Sequence, residues 1–453
     1  LGGILLFVLF LYLPALFNDF TNWDDGGYVV DNKHIALTLE HFKLFFTENV
    51  LGNIHPLTML SLSIDHLFGG TTNALPYHLT NVVWHVLNTG LVFWFAFRLS
   101  RENTWVAIIT ALFFGIHPMH VESVAWISAR KDVLYTAFFM AGLIGWLSYI
   151  ERPRWWVYLL IFASAVLSGM AKPAAVVFPV VLLLLDYYRG RSFTDWKLWA
   201  EKVPFFILSV IVGLITLGAQ EQAMHHDEYS LGEKIVVGMY GYVTYFIKAF
   251  WWGKMSPFYP YPEDKFVLPT YFYGYIPAFL AIVGATLWSL RKTRTIFWGM
   301  AFYTVTIALV LKVVTVGAAI LAERYTYIPY IGIFFIVGSG YARLQSVRMR
   351  QFATVLLGLF ALACTYKTWK QIGVWQDTVT LFTQAIDHFP KANLPYINRA
   401  GELRTRKQYE AALRDYDMAD KVEPNYMLGI KGRALCLFDM KRYGEALRDF
   451  ETL

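Results

Sequence analysis

Apolar runs of about 16 to 20 residues alternate with short polar breaks from Ile4 to about Trp369, and each run is long enough to cross the roughly 30 Å hydrocarbon layer of a bilayer as a helix. The pattern predicts spans at 2–17, 79–98, 104–118, 131–149, 155–170, 173–188, 203–219, 271–290, 296–312, 325–341 and 352–369, about eleven in all. After Lys370 the composition becomes polar. Two parts follow: a membrane body, 1–370, and a polar tail, 371–453.

Charge decides how the spans are threaded. The stretch 234–252 is apolar enough to cross, but crossing there would put the basic loops "LRKTR" (290–294) and "YARLQSVRMRQ" (341–351) outside. Treated as re-entrant or interfacial, it leaves both in the cytoplasm, together with "YYRGRSFTDWKLWAEK" (187–202). The amino end is then inside. The tail and the long loop 18–78 lie outside, in a periplasm or an organelle lumen.

Composition excludes other classes. With 57% hydrophobic and only 16% charged residues the chain is neither an ordinary globular domain nor a disordered one. The net charge of +6 records membrane topology and implies no nucleic-acid partner. Cys364 falls in an apolar run and Cys436 in the tail, so no disulfide is expected between them. The chain starts at Leu1 without Met and stops inside a repeat at Leu453, so both ends are expected to be cut.

That repeat is explicit. Tyr409, Ala412, Leu413, Arg414 and Asp415 recur 34 positions later as Tyr443, Ala446, Leu447, Arg448 and Asp449. Arg399–Ala400 recur as Arg433–Ala434, and Pro390 as Pro424, at the same offset. The period is that of tetratricopeptide repeats, helix pairs stacked into an α-solenoid with a concave binding face. The whole chain is therefore expected to be all-α, a polytopic membrane bundle followed by a solenoid.

Ionisable residues gather where spans meet the outer face, and because a charge at membrane depth costs several kcal/mol they are functional candidates by default. "NDFTNWDDGGYVV" supplies Asp24 and Asp25 beside Trp23, and "NIHPLTMLS" supplies His55. "IHPMHVESVAWISARKDVL" carries His117, His120, Glu122, Arg130 and Asp132, "GMAKPAAVVFP" carries Lys172, and "AILAERYTYIPY" carries Glu323 and Arg324. Plainer readings exist for each. His117 before Pro118 suits a helix end better than a zinc ligand, the acidic pair could be a turn or a cap, and Lys172 and Arg324 could snorkel to the interface. His225 and His226, beside Asp227 and Glu228, read as a solvated loop.

"FTNWDDGGYVVDNKHI", "HPLTMLSLSIDHLFG", "GIHPMHVESVAWISARKDVLYTAFF", "KPAAVVFPVVLLLLDYY" and "AERYTYIPYIGIF", in this order and followed by the repeats, resemble the polytopic GT-C glycosyltransferases. The likeness is closest to the transmembrane and tetratricopeptide-repeat protein O-mannosyltransferases and their bacterial relatives. The resemblance implies that Asp24 and Asp25 are the catalytic element. Two positions depart from the family, His55 where Arg is common and Pro173 where Glu is common.

The implied donor is a sugar, mannose or a similar hexose, on an undecaprenyl- or dolichyl-type phosphate. The implied acceptor is a Ser or Thr hydroxyl of a polypeptide held by the repeats. A carboxylate can take the hydroxyl proton as it attacks, help worth roughly 10²–10⁴-fold, and fixed cations can meet the charge on the leaving phosphate. Arg324, Lys172 and Arg130 are the cations available; His55, His117, His120, Glu122, Asp132 and Glu323 are expected to position substrate. In an extended segment neighbouring side chains diverge, so Asp24 is expected as the base and Asp25 as the residue that orients the loop. No metal site and no cofactor is assigned, and a divalent cation held between carboxylates and phosphate stays open. Removal of the tail is expected to spare the chemistry and weaken acceptor use. A lipid or sugar-lipid transporter and a non-catalytic scaffold are the rival readings; the former would show repeated membrane halves, which the sequence lacks. A bacterial inner membrane, with repeats in the periplasm, is favoured over the endoplasmic reticulum.

Overall fold

A computed structural model describes residues 1–220, 229–262, 267–313 and 317–453. His225 and His226 lie outside the described residues. Among the described residues nearly all regular structure is helical, and the strands are two short ones, Tyr259–Pro260 paired antiparallel with Ala319–Leu321.

Among the described residues five helices are long and apolar enough to cross a membrane: Leu75–Leu99, Ile127–Glu151, Trp196–Gln220, Thr270–Ser289 and Val347–Val374. Thr104–Ile116 with Pro118–Ala125 makes a sixth if the pair, bent by 56°, is one span. The other apolar runs form shorter helices, Gly2–Phe17, Trp155–Ala171, Arg294–Val310 and Pro329–Ala342. Proline explains several of the breaks. Pro118 cannot donate to the helical ladder, and Pro173 follows the end of Trp155–Ala171. The stretch singled out at 234–252 is a helix, Leu231–Lys248, opened by a Ser230–Glu233 capping box. Lys248 closes it by donating to the Trp252 and Lys254 carbonyls.

Burial separates central from peripheral helices. The apolar window of Ile127–Glu151 is 61% buried by protein and that of Val347–Val374 only 6%, so the second presents its apolar side chains to lipid. Close contacts use glycine: a Cβ on Gly332 would lie 2.3 Å from the Gly299 carbonyl oxygen, which brings Arg294–Ile307 and Pro329–Ala342 backbone to backbone.

One end of the bundle is fastened by a buried guanidinium. Arg130 donates to Asn81 (2.5 Å), Ser61 (2.6 Å), Asp65 (2.6 Å) and the Tyr77 carbonyl (2.8 Å), joining three helices through one side chain. With its side chain fully buried and its donors committed, Arg130 is an internal tie.

In the tail, Thr378–His388, Asn393–Thr405, Tyr409–Val422, Met427–Asp439 and Tyr443–Glu451 pack each on the next. The repeated residues make a repeated bond. Arg399 forks onto Asp415 at 2.7 and 2.8 Å, and Arg433 onto Asp449 at 2.8 and 2.9 Å.

Arg130→Met should destabilise the protein by about 3–5 kcal/mol, because it leaves the Asp65 carboxylate buried and unpaired. Arg130→Met with Asp65→Leu should recover most of that loss. Thermal unfolding in detergent checks both; an unchanged midpoint for Arg130→Met would show the network to be dispensable.

Candidate active site

The loop after the first apolar helix is held from both sides. Asn18 donates to the Ile372 carbonyl (3.3 Å) and the Asp19 amide to the Gln376 carbonyl (2.8 Å), fixing its start against the last long helix. Asp25 fixes its middle. Its carboxylate is 1% exposed and accepts the Thr21 amide (2.8 Å), the Thr21 hydroxyl (2.9 Å), the Ser128 amide (3.0 Å) and the Ser128 hydroxyl. Burial pushes the Asp25 carboxyl up to about 6 against the pull of those four donors.

The backbone here is helical where an extended segment was expected: Asp25 sits at φ −64°, ψ −28° and leads into the π-turn Gly26–Val30. The two side chains still diverge, since consecutive helical residues lie about 100° apart. Asp24 keeps 29% of its side chain exposed and faces the Lys131 ammonium at 3.9 Å.

Around Asp24 stands a cluster of cations on aromatic rings. Arg324 pairs with Glu122, whose second oxygen accepts the Arg324 amide at 3.0 Å, and its guanidinium lies over Trp126 (5.1 Å) and Tyr325 (5.0 Å). Burial works against the Arg324 charge, but Glu122, followed by Tyr325, Asp132 and Asp24, holds the guanidinium above its ordinary value. Lys172 pairs with Asp132 and also sits near the Tyr325 ring (5.8 Å), as does Lys312 (5.9 Å). Burial would raise the Tyr325 hydroxyl, yet Lys312, Arg324 and Lys172 bring it below its usual value. Cationic field therefore outweighs desolvation at this point.

Three buried polar atoms close to these cations have no partner among the described residues, His55 Nδ1, Asp132 Oδ2 and the indole Nε1 of Trp126. Burial first, then Lys131 and Lys172, hold the His55 imidazole well below its ordinary value, so it is a neutral group at pH 7.

The residues expected at the site thus divide. Asp24, Glu122, Asp132, Lys172, Arg324 and His55 come together. Arg130 does not, being consumed by its own network. His117 donates toward the Ala249 carbonyl (3.2 Å) and His120 bonds the Phe114 carbonyl (2.8 Å), both fully buried among Phe114, Tyr327 and Tyr330. Glu323 faces away from its neighbour Arg324, accepting the Ser256 amide (3.0 Å) and the Tyr259 hydroxyl (2.8 Å). Burial pushes its carboxyl up to about 8, with Glu122 adding to the rise. Among the described residues no group of three or more His, Cys, Asp or Glu side chains is placed to hold a metal ion.

Lys131, which none of the motifs above singles out, also belongs to the cluster. It lies over Tyr28 at 4.7 Å and Trp126 at 5.8 Å. The signal was available, because Arg130, Lys131 and Asp132 start a helix and point to three different sides of it.

The tail meets this loop directly. The Asn22 amide donates to the Thr378 hydroxyl (3.0 Å), the Asn22 side chain to the Asn398 carbonyl (2.8 Å), and Trp23 packs between Phe382 (5.4 Å) and Phe258 (5.6 Å). The first two tail helices thus form one wall of the acidic loop.

No family model matches the chain. Among curated proteins it is similar to Protein O-mannosyl-transferase TMTC3 of Homo sapiens, 22% identical over 478 residues that cover 91% of this chain and 50% of the relative. Protein O-mannosyl-transferase Tmtc2 of Drosophila melanogaster is 32% identical over 152 residues, 31% of this chain and 16% of the relative. The chain spans about half the length of the curated relatives that it matches along most of its own length. Among solved structures, the crystal structure of ArnT from Cupriavidus metallidurans bound to undecaprenyl phosphate superimposes with a TM-score of 0.45 at 13% identity, covering 100% of this chain and 77% of that one. Along 91% of its length, then, the chain resembles the transmembrane and tetratricopeptide-repeat protein O-mannosyltransferases, the family that its motifs single out.

Proposed function

We propose that the chain is a GT-C-type membrane glycosyltransferase that moves a sugar, mannose or a similar hexose, from a polyprenyl-phosphate carrier to a Ser or Thr hydroxyl of a polypeptide. One observation carries the reading: a half-open carboxylate, Asp24, stands beside a group of cations at the end of the membrane helices, while its neighbour Asp25 is spent on fixing the loop. The printed names of the relatives, protein O-mannosyl-transferases, support the same class.

The step follows from these positions. The acceptor oxygen forms a bond to the anomeric carbon as the bond from that carbon to the phosphate oxygen breaks. Asp24 takes the hydroxyl proton, and the electron pair of the broken bond leaves with the lipid phosphate. Arg324, Lys172 and Lys131 meet that negative charge. Fixed cations already held in place need no reorganisation when it forms. His55 and Asp132 offer their unpartnered atoms to substrate hydroxyls, and Glu122 keeps Arg324 oriented. The repeats hold the acceptor on the same side as Asp24, in a periplasm or an organelle lumen.

Asp24→Asn should lower transfer by roughly 10²–10⁴-fold, with donor affinity and thermal stability near wild type. Asp25→Asn should act differently. An amide presents one accepting oxygen and turns its NH₂ toward existing donors, so the loop should lose about 1–3 kcal/mol for each group left unpaired. Unfolding midpoints and transfer rates of both variants, with a labelled polyprenyl-phosphate sugar and a Ser/Thr-rich peptide, separate the two roles. Wild-type transfer by Asp24→Asn would end the base assignment.

Arg324→Lys keeps the charge but loses the planar fork that Glu122 orients, and an ammonium cannot grip a phosphate with two parallel bonds. Donor affinity should fall. Unchanged affinity and turnover would remove Arg324 from the donor site.

Truncation after Trp375 removes Thr378, Phe382 and Asn398 from the acidic loop, so transfer even to a short peptide should drop in a protein that still unfolds cooperatively. Full activity on short peptides, with loss confined to long acceptors, would make the tail a tether only.

A further inference from the structure

At the opposite end of the bundle lies a cavity that the proposed chemistry does not use. Lys131 and Glu151 are 20 residues apart on one helix, which at 1.5 Å per residue separates the two ends by about 30 Å. The cavity has a volume of about 590 Å³ and is lined by Arg98, Arg101, Arg152, Arg154 and Arg189.

Among the described residues two carboxylates, Glu102 and Glu151, share the lining, so five positive charges less two negative leave a surplus of three. Glu151 is divided between Arg98 (2.5 Å) and Arg189 (3.5 Å). The Nε of Arg189 is buried without a partner among the described residues. Burial, with Arg101 and Arg98 adding their repulsion, lowers the Arg189 guanidinium from its ordinary value although Glu151 opposes the change.

Helix ends explain part of this. Arg98 and Arg189 occupy the last turns of their helices, where a cation complements the macrodipole. Arg101, Arg152 and Arg154 lie beyond any helix end and point charge into the same space. Repulsion among them falls when an anion enters.

The surroundings say which kind of anion. Trp156, 46% exposed, lines the cavity beside its more exposed neighbour Trp155, as interfacial aromatics do. Directly along the same helix Leu159 and Leu160 are exposed apolar side chains, a path for an acyl chain running down from the cavity. We infer that this cavity binds the phosphate head group of an anionic membrane lipid, with its acyl chain laid along Trp155–Ala171.

The test compares the wild type with Arg101→Gln/Arg152→Gln, a pair of exposed residues remote from Asp24. Each is placed in phosphatidylcholine nanodiscs, in phosphatidylcholine nanodiscs with cardiolipin, and in phosphatidylcholine nanodiscs with soluble pyrophosphate. Retained lipid by native mass spectrometry and the unfolding midpoint are read. Cardiolipin should be retained by the wild type and raise its midpoint, and the double variant should bind it at least about tenfold more weakly, as the loss of two charge-assisted contacts requires. If the double variant does not fold, Arg152→Gln alone should show a smaller weakening in the same direction. Equal retention by wild type and variant would overturn the proposal. So would stabilisation by pyrophosphate without any effect of cardiolipin, which would make the site one for soluble phosphates.

Discussion

The geometry of the candidate site rests on one buried carboxylate. Asp25 gathers two donors from its own loop and two from Ser128, and Ser128 lies three residues before Lys131. The bond set therefore places the loop that carries Asp24 against the helix turn that carries Lys131 and Asp132. Any shift of the loop has to break several buried hydrogen bonds together. That constraint gives two adjacent, chemically identical residues different surroundings: desolvation and four donors tie one down, and the other stays partly exposed beside an ammonium, which on the proposed reading is the position of the base.

Charge balance around Asp24 follows from the same economy of burial. Glu122 and Asp132 are each 1% exposed and each meets a cation, Arg324 and Lys172, so neither acid is left uncompensated in a low-dielectric setting. Aromatic faces do the rest, with Tyr325 between Arg324, Lys172 and Lys312 and with Tyr28 under Lys131. A cluster whose acids are already paired and whose cations lie on rings is suited to receive a further anion. On the proposed reading that anion is the phosphate of the donor lipid. The tail enters this account as structure, because Thr378, Phe382 and Asn398 back the same loop from the other side.

Much of this was legible in the sequence, for reasons that can be named. Long apolar runs announce membrane helices because backbone groups must bond internally in lipid. The 34-residue period marked Arg399 and Arg433, and Asp415 and Asp449, as equivalent positions, and the fold joins them into equivalent ion pairs. Span counting was weaker where proline divides an apolar run, as at Pro118, since hydropathy ignores bends. Arg130 was placed among the phosphate ligands and Lys131 was not, because adjacent helical residues share a motif while facing different neighbours. Only the fold shows that Asn81, Ser61 and Asp65 absorb the first. The docking of Asn22 on Asn398 spans 376 positions and no local pattern signals it.

A structure of the protein with a non-hydrolysable polyprenyl-phosphate sugar bound in lipid nanodiscs tests the central claim most directly. The account predicts the phosphate within hydrogen-bonding distance of Arg324 and Lys172 or Lys131, and the anomeric carbon facing Asp24 with room for a hydroxyl between them. A donor whose phosphate sits away from these cations, with Asp24 facing neither sugar nor acceptor, would contradict it.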